Sequence, residues 1–472
     1  MGHNGTMRLD GDACYRAVKT RDSRFDGRFF TAVRSTGVYC RPVCPARTPR
    51  RENCTFYASA AAAQQAGYRP CLRCRPEVSP GLPAWQGTSA TVSRALRMIA
   101  DGALDDGSVE QLAIRLGIGE RHLRRLFLEQ LSASPVEVAQ TQRVLLAKKL
   151  LTETALPITE IAHAAGFASI RRFNATMRSV FARPPRELRR SLEPPRENGP
   201  IRLKLAYRPP YDWDSLLAFL AVRALPGVEF VECRVYRRQI RSGSLLVKPL
   251  DREHALAVDL HLDDCGELRP LIGRLRRMFD LDAPSPEITQ HLAGDPLLRP
   301  AVTAHPGLHI PGSWDGFELA VRAILGQQIS VQGARTMASR LVERWGGGVR
   351  FPDAATLAEA DLTRAGLTRA RAQSISKLAS AVAEGELTFE PASSLEETIG
   401  KLSALEGIGP WTAHYIALRA FGEPDAFPAA DLGLRRAAGN LSARDLEARA
   451  ESWRPWRGYA AVYLWSLYGT RF

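Results

Sequence analysis

Four cysteines in two short runs carry the first chemistry that this 472-residue sequence suggests. Cys40 and Cys44 lie in Val38-Tyr39-Cys40-Arg41-Pro42-Val43-Cys44, and Cys71 and Cys74 in Pro70-Cys71-Leu72-Arg73-Cys74-Arg75-Pro76. A C-x3-C and a C-x2-C with 26 residues between them match the ligand spacing of a four-thiolate zinc site. Four thiolates around one Zn²⁺ leave a closed site of net charge about −2. A metal-bound sulfur stays thiolate at neutral pH, so such a site staples a small domain and also presents nucleophiles. Arg41, Arg47, Arg69, Arg73 and Arg75 flank the pairs, where they would draw a phosphate backbone toward the sulfurs. Cys14, Cys54, Cys233 and Cys265 read as ordinary unpaired thiols.

A second constellation lies near the other end. Leu405-Glu406-Gly407-Ile408-Gly409-Pro410-Trp411-Thr412-Ala413 reads as a helix-hairpin-helix signature. Gly407 and Gly409 permit a tight turn whose amides point outward at the start of the next helix, and such a turn can hold a DNA phosphate without side-chain charge. Asp431 follows in the proline-containing run Ala426-Phe427-Pro428-Ala429-Ala430-Asp431-Leu432.

These groups need scaffolds, and a chain of this length holds three or more domains. Ser79-Pro80-Gly81-Leu82-Pro83 and Glu193-Pro194-Pro195-Arg196-Glu197-Asn198-Gly199-Pro200 read as linkers. The net charge of +14 is uneven. Residues 1–78 hold 14 Lys+Arg against 6 Asp+Glu, residues 92–190 hold 16 against 10, and residues 191–472 hold 34 against 34. The whole excess lies in the first 190 residues, which is the electrostatic footprint of a nucleic-acid partner. Met1-Gly2-His3-Asn4-Gly5 lacks the apolar core of a leader, and no stretch approaches the roughly 18 apolar residues of a membrane span. Thiols used as ligands suit the cytoplasm.

Between the linkers, Ser108–Gln130 and Ile158–Phe181 each read helix, turn, helix. In both, an alanine precedes a glycine by four, Ala113 to Gly117 and Ala162 to Gly166, and the copies are 49 residues apart. The glycine supplies positive φ in the turn, and the alanine leaves room where the helices cross. The second helices carry Arg121, His122, Arg124 and Arg125, and Ser169, Arg171, Arg172 and Asn174, which can reach phosphates and base edges in a major groove. Beyond residue 200, three strand-like runs appear at Ile201–Tyr207, Val228–Tyr236 and His254–Leu262, and after about residue 286 the pattern turns helical. The expected fold class is α+β multidomain: a small zinc-stapled α/β domain (1–78), an all-α double helix-turn-helix domain (88–192), a sheet domain (200–285) and an all-α helix-hairpin-helix domain (286–472).

Residues 12–78 resemble the N-terminal domain of the Ada family of DNA alkylation-response proteins. The matching residues are Phe29-Phe30-Thr31-Ala32-Val33-Arg34-Ser35-Thr36-Gly37, Tyr39-Cys40-Arg41-Pro42, Arg51-Glu52-Asn53, Phe56-Tyr57 and Ala66-Gly67-Tyr68-Arg69-Pro70-Cys71, with Cys74. The resemblance implies zinc held by Cys40, Cys44, Cys71 and Cys74, and transfer of a methyl group from a DNA methylphosphotriester to Cys40, once per molecule. It also turns Arg41 and Arg47 toward DNA. The thioether would change the site charge from about −2 to about −1 and strengthen DNA binding. The two helix-turn-helix units, the long helix between them (Pro135–Leu151) and the tail Phe181-Ala182-Arg183-Pro184-Pro185-Arg186-Glu187-Leu188 resemble the AraC-family DNA-binding domain. That implies Arg121, Arg124, Arg125, Arg171 and Arg172 at the DNA.

Hairpin, proline loop and aspartate together resemble the helix-hairpin-helix DNA glycosylase superfamily. Residues 200–472 are most similar to its AlkA family of 3-methyladenine glycosylases, through Gly316-Phe317-Glu318, Val321-Arg322-Ala323-Ile324-Leu325-Gly326-Gln327, the hairpin, and Trp453-Arg454-Pro455-Trp456-Arg457 with Tyr459-Ala460. This resemblance implies that Asp431 stabilises an oxocarbenium-like transition state, the plain alternative being a helix cap. Trp411, Tyr415 and Trp465 become the pocket for a flipped, often cationic base, the alternative being ordinary core. Gln328 falls where the family carries an apolar wedge. Gly407 and Gly409 hold phosphate, with a monovalent cation at the hairpin turn as a further candidate. Trp411 stands where relatives with lyase activity carry lysine, so no Schiff base forms and an abasic site is left. Ala430 replaces a second acid found in some relatives, which leaves Asp431 alone. No Pro-Cys-His-Arg run for O6-alkylguanine transfer is present.

The expected function is alkylation-damage response with excision of alkylated purines such as 3-methyladenine. The alternative is a methylation-activated transcription regulator whose glycosylase-like part only binds DNA. Expected partners are double-stranded DNA, damaged and promoter, and RNA polymerase, for a monomer with no membrane contact.

Overall fold

The computed structural model describes residues 9–81, 90–189, 199–389 and 394–467. The start at 1–5 and the linker positions 82–83 and 193–198 lie outside the described residues. By its contacts the chain divides into one unit of residues 1–209, 250–274 and 281–284, and another of 210–249, 275–280 and 285–472.

In the first unit, β1 (Phe30–Val33), β2 (Val38–Cys40), β3 (Cys54–Tyr57) and β4 (Arg69–Pro70) form a sheet in the order β3-β1-β2-β4. β1 and β2 make an antiparallel hairpin that sets Thr31 opposite Cys40, with Gly37 at φ +63° in its turn. β4 runs parallel to β2, Val38 against Arg69 and Tyr39 against Pro70. This register unites the two cysteine pairs, because the chain leaves β2 and β4 side by side and the Cys71 amide donates to the Tyr39 carbonyl at 3.0 Å. Phe30, Ala32, Tyr39 and Ala63 form one apolar cluster, and Cys14, Ala17, Val18 and Phe29 another.

The helix-turn-helix repeat folds as its spacing predicts. Capping boxes at Ser108/Gln111 and Ser134/Glu137 start the helices Val109–Arg115 and Pro135–Glu153. Gly117 and Gly166 take φ of +69° and +83°, and Ala113 and Ala162 are buried at the crossings. The second turn is one residue longer, so the reading helices Glu120–Leu131 and Ile170–Phe181 begin 50 residues apart although the glycines are 49 apart.

The cysteine domain is not a separate bead. Ala61, from the helix Ala60–Gln65, joins the apolar cluster of Phe127 and Leu131, and Ser59 Oγ donates to the Leu131 carbonyl at 2.8 Å. From the long connecting helix, the buried Lys148 ammonium donates to the Cys71 carbonyl at 3.1 Å and to Glu77 at 2.7 Å. The two paired side chains are 1 % and 0 % exposed. Arg75 reaches across to Glu153 and Thr152. Lys148→Ala should cost about 3–5 kcal/mol because it strands the Glu77 carboxylate, whereas Lys148→Met with Glu77→Leu should cost far less. Urea unfolding of the full chain, followed on its first transition, checks the difference.

Beyond residue 200 lie β5 (Ile201–Ala206), β6 (Glu229–Glu232), β7 (Val235–Ile240), β8 (Gly243–Leu250) and β9 (Ala255–Leu262). β5 and β9 pair antiparallel in the first unit, and β6, β7 and β8 form an antiparallel meander in the second. The run expected as one strand over Val228–Tyr236 is two strands. Cys233 and Arg234 both adopt left-handed φ (+50° and +62°) in a tight turn with none of the usual glycine or asparagine signals. Two helices precede the expected boundary at 286, Trp213–Ala221 and Leu268–Met278, and Pro270 is tolerated in the first turn of the latter.

The second unit is built around the helix Gly316–Leu325, eight of whose ten residues are buried. Among them Glu318 pairs with Arg238 and with Arg322 (2.8 Å). Glu229 accepts from Arg238 (3.0 Å), Arg322 (3.1 Å) and the Tyr236 hydroxyl (2.8 Å), so two carboxylates match two guanidiniums. Burial alone would raise the Glu229 pKa, but Arg322 and Arg238 outweigh it and hold it below the usual value. A lowered folded-state pKa stabilises above the unfolded value of about 4.3 and is lost as pH falls below it. Glu229→Gln should therefore flatten the acid limb of a stability–pH profile measured by circular dichroism below about pH 4.3. Among the described residues no helix is long and apolar enough to cross a membrane.

Candidate active sites

The Sγ atoms of Cys40, Cys44, Cys71 and Cys74 all lie within 4.8 Å of one another, the last two buried and the first two half-buried. Thiols this close compete for protons. Hydrogen bonding from Cys40 leads the effects that hold Cys44 down to about 7 and Cys71 lower still, while Cys40 is pushed up, first by Cys44. A dication ends that competition and lets all four ionise, so this donor set fits zinc. Backbone amides of Arg41 and Arg73 donate to Cys74 and Cys71 at 3.3 and 3.4 Å, and the Ala46 amide lowers Cys44. No backbone donor reaches Cys40 Sγ among the described residues. The sulfur with the fewest hydrogen bonds keeps the most electron density to give.

Arg41, expected at DNA, is mostly buried, its side chain 12 % exposed. Asp26 is buried and needs a countercharge, so Arg41 turns inward, with Nε 2.8 Å from Asp26 Oδ1 and Nη1 3.1 Å from the Cys74 carbonyl. Arg47 is exposed. On the reading helices Arg121, Arg124, Arg125, Arg171 and Arg172 are all exposed. Arg124 pairs with Glu120 at 2.6 Å and Arg125 lies 3.0 Å from His122.

In the second unit a cavity of about 310 Å³ is lined by Trp411, Tyr415, Trp465 and Asp431. Trp411 and Tyr415 sit one turn apart on the helix Pro410–Arg419 and stack at 5.6 Å with a 15° interplanar angle, and Trp465 meets Tyr415 edge-on at 6.2 Å. Asp431 is both a cap and a cavity wall. Its Oδ1 accepts the Leu434 amide (2.9 Å), starting the helix Leu432–Ala437, and the Trp465 indole (3.0 Å), while Oδ2 accepts the Trp411 indole (2.9 Å). The cap and the catalytic reading are thus one arrangement, in which three donors aim a carboxylate into an aromatic cavity. No lysine lines it.

The hairpin turn begins this same helix. Gly407 has φ +87°, and a Cβ there would meet Ser374 Oγ at 2.0 Å. Gly409 has ordinary extended backbone and open space beside it, so it serves surface clearance rather than conformation. Gln327 Nε2 pins the turn through the Gly407 carbonyl (2.8 Å) and Thr412 Oγ1 (3.0 Å). Its neighbour Gln328 is exposed with φ +58°, projecting from the turn before the helix Val331–Trp345.

Sequence reading missed Phe219, Arg223 and Arg419, which also line the cavity. Arg419 was legible as the next step of the Trp411, Tyr415 stripe at i, i+4, i+8. Phe219 comes from the helix Trp213–Ala221 and Arg223 from the turn that follows it, neither of which carries a clear sequence signal. Trp465→Phe removes one charged hydrogen bond to Asp431 and should slow base release from alkylated duplex DNA about 10- to 100-fold in single-turnover assays.

Four family models match in succession. They are the metal binding domain of Ada (13–77), a helix-turn-helix domain (112–191), the AlkA N-terminal domain (202–315) and the HhH-GPD superfamily of base excision DNA repair proteins (321–457). The chain is 42 % identical over 483 residues, 98 % of its length and 97 % of the relative's, to a Mycobacterium tuberculosis protein named a probable bifunctional transcriptional activator/DNA repair enzyme AlkA. It is 33 % identical over 279 residues to DNA-3-methyladenine glycosylase 2 of Escherichia coli, covering 56 % of this chain and 97 % of that one. Among solved structures, a 3-methyladenine DNA glycosylase from Archaeoglobus fulgidus superposes with a TM-score of 0.50 at 26 % identity, over 57 % of this chain and 98 % of that one.

Proposed function

The chain belongs to the family of bifunctional transcriptional activator/DNA repair enzymes that join an Ada metal-binding domain and a helix-turn-helix domain to an AlkA-type glycosylase, and from that premise we propose how its residues divide the work. The glycosylase hydrolyses the N-glycosidic bond of alkylated purines such as 3-methyladenine in DNA. The observation that carries this assignment is Asp431, fixed by two indoles and an amide on the wall of a base-sized aromatic cavity.

A purine flipped from the duplex stacks on Trp411 and Tyr415, while Trp465 closes the other side. Gln328 fills the gap in the duplex, and the Gly407–Gly409 turn grips a phosphate through its amides, with a monovalent cation there as an added support. As the C1′–N bond lengthens, positive charge grows on the sugar and Asp431 stabilises it. Water then bonds to C1′ and gives up a proton to solvent, while the base, cationic before cleavage, departs neutral. With no lysine in the cavity the reaction stops at an abasic site.

In the first domain Cys40, Cys44, Cys71 and Cys74 hold zinc, which keeps the four sulfurs ionised. Cys40 attacks the methyl carbon of a DNA methylphosphotriester. The S–C bond forms, the C–O bond breaks, and its electron pair stays on the phosphate oxygen. The spent site loses one negative charge, and the exposed arginines of the reading helices then hold promoter DNA more tightly. Two reading helices in one chain supply what other regulators gain by dimerising, which supports a monomer. RNA polymerase is the partner a DNA-bound activator must reach, and thiol ligands suit the cytoplasm. The functional segments are assigned as 1–78, 88–192, 200–285 and 286–472.

Base release from duplex DNA treated with a methylating agent tests the enzyme. The wild-type chain should free 3-methyladenine and 7-methylguanine, and Asp431→Asn should lose at least about 100-fold. DNA binding with no release by the wild type would leave a regulator whose glycosylase-like part only binds. For the sensor, intact-mass analysis after incubation with methylphosphotriester DNA should show one methyl per chain, and none in Cys40→Ser.

A further inference from the structure

The loop that delivers Asp431 is tied to its unit by a side chain that does not line the cavity. His414 stands on the helix Pro410–Arg419, one turn after Trp411, and its Nδ1 lies 3.2 Å from the Phe427 amide. Phe427 is 3 % exposed, and its ring packs edge-on against Trp453 at 5.8 Å. From there the chain reaches Asp431 through two short backbone bonds. The Ala429 amide donates to the Phe427 carbonyl (3.0 Å), and the Asp431 amide donates to the Pro428 carbonyl (2.8 Å). The Trp411 indole then holds the carboxylate itself. One helix thus grips both ends of segment 427–431, through His414 at its start and Trp411 at its end.

A backbone amide can only donate, so Nδ1 must be the bare nitrogen of the ring, and the proton of the neutral imidazole sits on Nε2. A second proton would set a donor against a donor and leave the buried Phe427 amide without an acceptor. The surroundings keep that proton off. Burial first, and the Arg457 guanidinium second, hold His414 below the ordinary histidine value of about 6.5. Two carboxylates pull the other way, Glu447 on the helix Ala443–Ala450 and Asp425 in the loop before Phe427. Asp425 is engaged by Arg454 and by Arg457, the latter through 2.9 Å bonds to both of its oxygens. The His414 bond is therefore intact above the folded-state pKa and is lost as pH falls through it.

Resting on the assignment of Asp431 above, we propose that His414 is a positioning residue for this site: its unprotonated ring fixes where the loop sets the carboxylate, and excision fails in acid when the ring takes up a proton. The ring acts through the loop and not on the base. A carboxylate stabilises the sugar cation only from a preorganised position, and a displacement of about 1 Å can cost about 100-fold in rate. The tie runs to a backbone amide, so another side chain with an acceptor at that reach can replace it, while an apolar one cannot. Asparagine supplies such an acceptor and does not titrate.

The test is single-turnover release of 7-methylguanine from a duplex carrying it at one defined position, measured with the full chain between about pH 5 and about pH 8. The wild-type rate should hold through neutral pH and fall on an acid limb lying below about pH 6.5. His414→Leu should be slower by at least about tenfold across the range. His414→Asn should restore most of that loss at neutral pH and lack the histidine's share of the acid limb, so its rate relative to the wild type should climb at least about threefold toward pH 5. Circular dichroism at each pH checks that the chains stay folded, and if His414→Leu does not fold, the comparison of wild type with His414→Asn decides alone. A relative rate that stays flat with pH would mean that the histidine is merely structural and would overturn the proposal, as would a His414→Asn chain as slow as His414→Leu. Either result leaves the glycosylase reading intact. A wild type that releases no base at any pH would retire both.

Discussion

A carboxylate in an aromatic cavity is tolerable only if its oxygens are satisfied, and the second unit is arranged to satisfy those of Asp431. One donor is the amide at the start of the six-residue helix Leu432–Ala437, too short to stand without its cap. The others are indoles from two further helices, so the loop, the cap and both tryptophans are fixed relative to one point. The helix that supplies Trp411 begins at the hairpin turn. Hairpin turn and aromatic cavity therefore share one rigid rod, pinned by Gln327, so the proposed phosphate grip and base stack are spaced by helical rise rather than by a loop.

The two ends of the chain handle negative charge in opposite ways. On the proposed reading Asp431 stabilises charge without forming a bond, and three donors hold it. On the same reading Cys40 must donate electrons, and among the described residues it is the sulfur of its cluster without a backbone amide, although its three neighbours each receive one. Hydrogen bonding lowers nucleophilicity, so a group that reacts is left bare and a group that only attracts is dressed.

What could be read in the sequence was local. Cysteine spacing, the alanine–glycine pairs at 49 residues and the Gly407–Pro410 turn each depend on a few neighbours, and each folds as its chemistry requires. The tight turn at Cys233–Arg234 escaped because its left-handed residues are not the usual turn formers, and the Leu268–Met278 helix because a proline stands in its first turn. Partners of single charges were the least legible. Arg41 pairs with Asp26, 15 positions away, and Arg322 with Glu229, 93 positions away. Arg223 and Arg419 meet across a similar gulf, and only the stripe with Trp411 and Tyr415 hinted at one of them.

Lys148 has a consequence for how such a chain can be inherited. Its ammonium sits in the connecting helix of the double helix-turn-helix, yet its partners, the Cys71 carbonyl and Glu77, belong to the cysteine domain. Ala61 likewise completes an apolar cluster that is otherwise the helical domain's own. Cutting the gene between the two would leave a bare lysine and an open apolar patch on the helical part. A recombination that parted the two would therefore carry a stability cost for both halves.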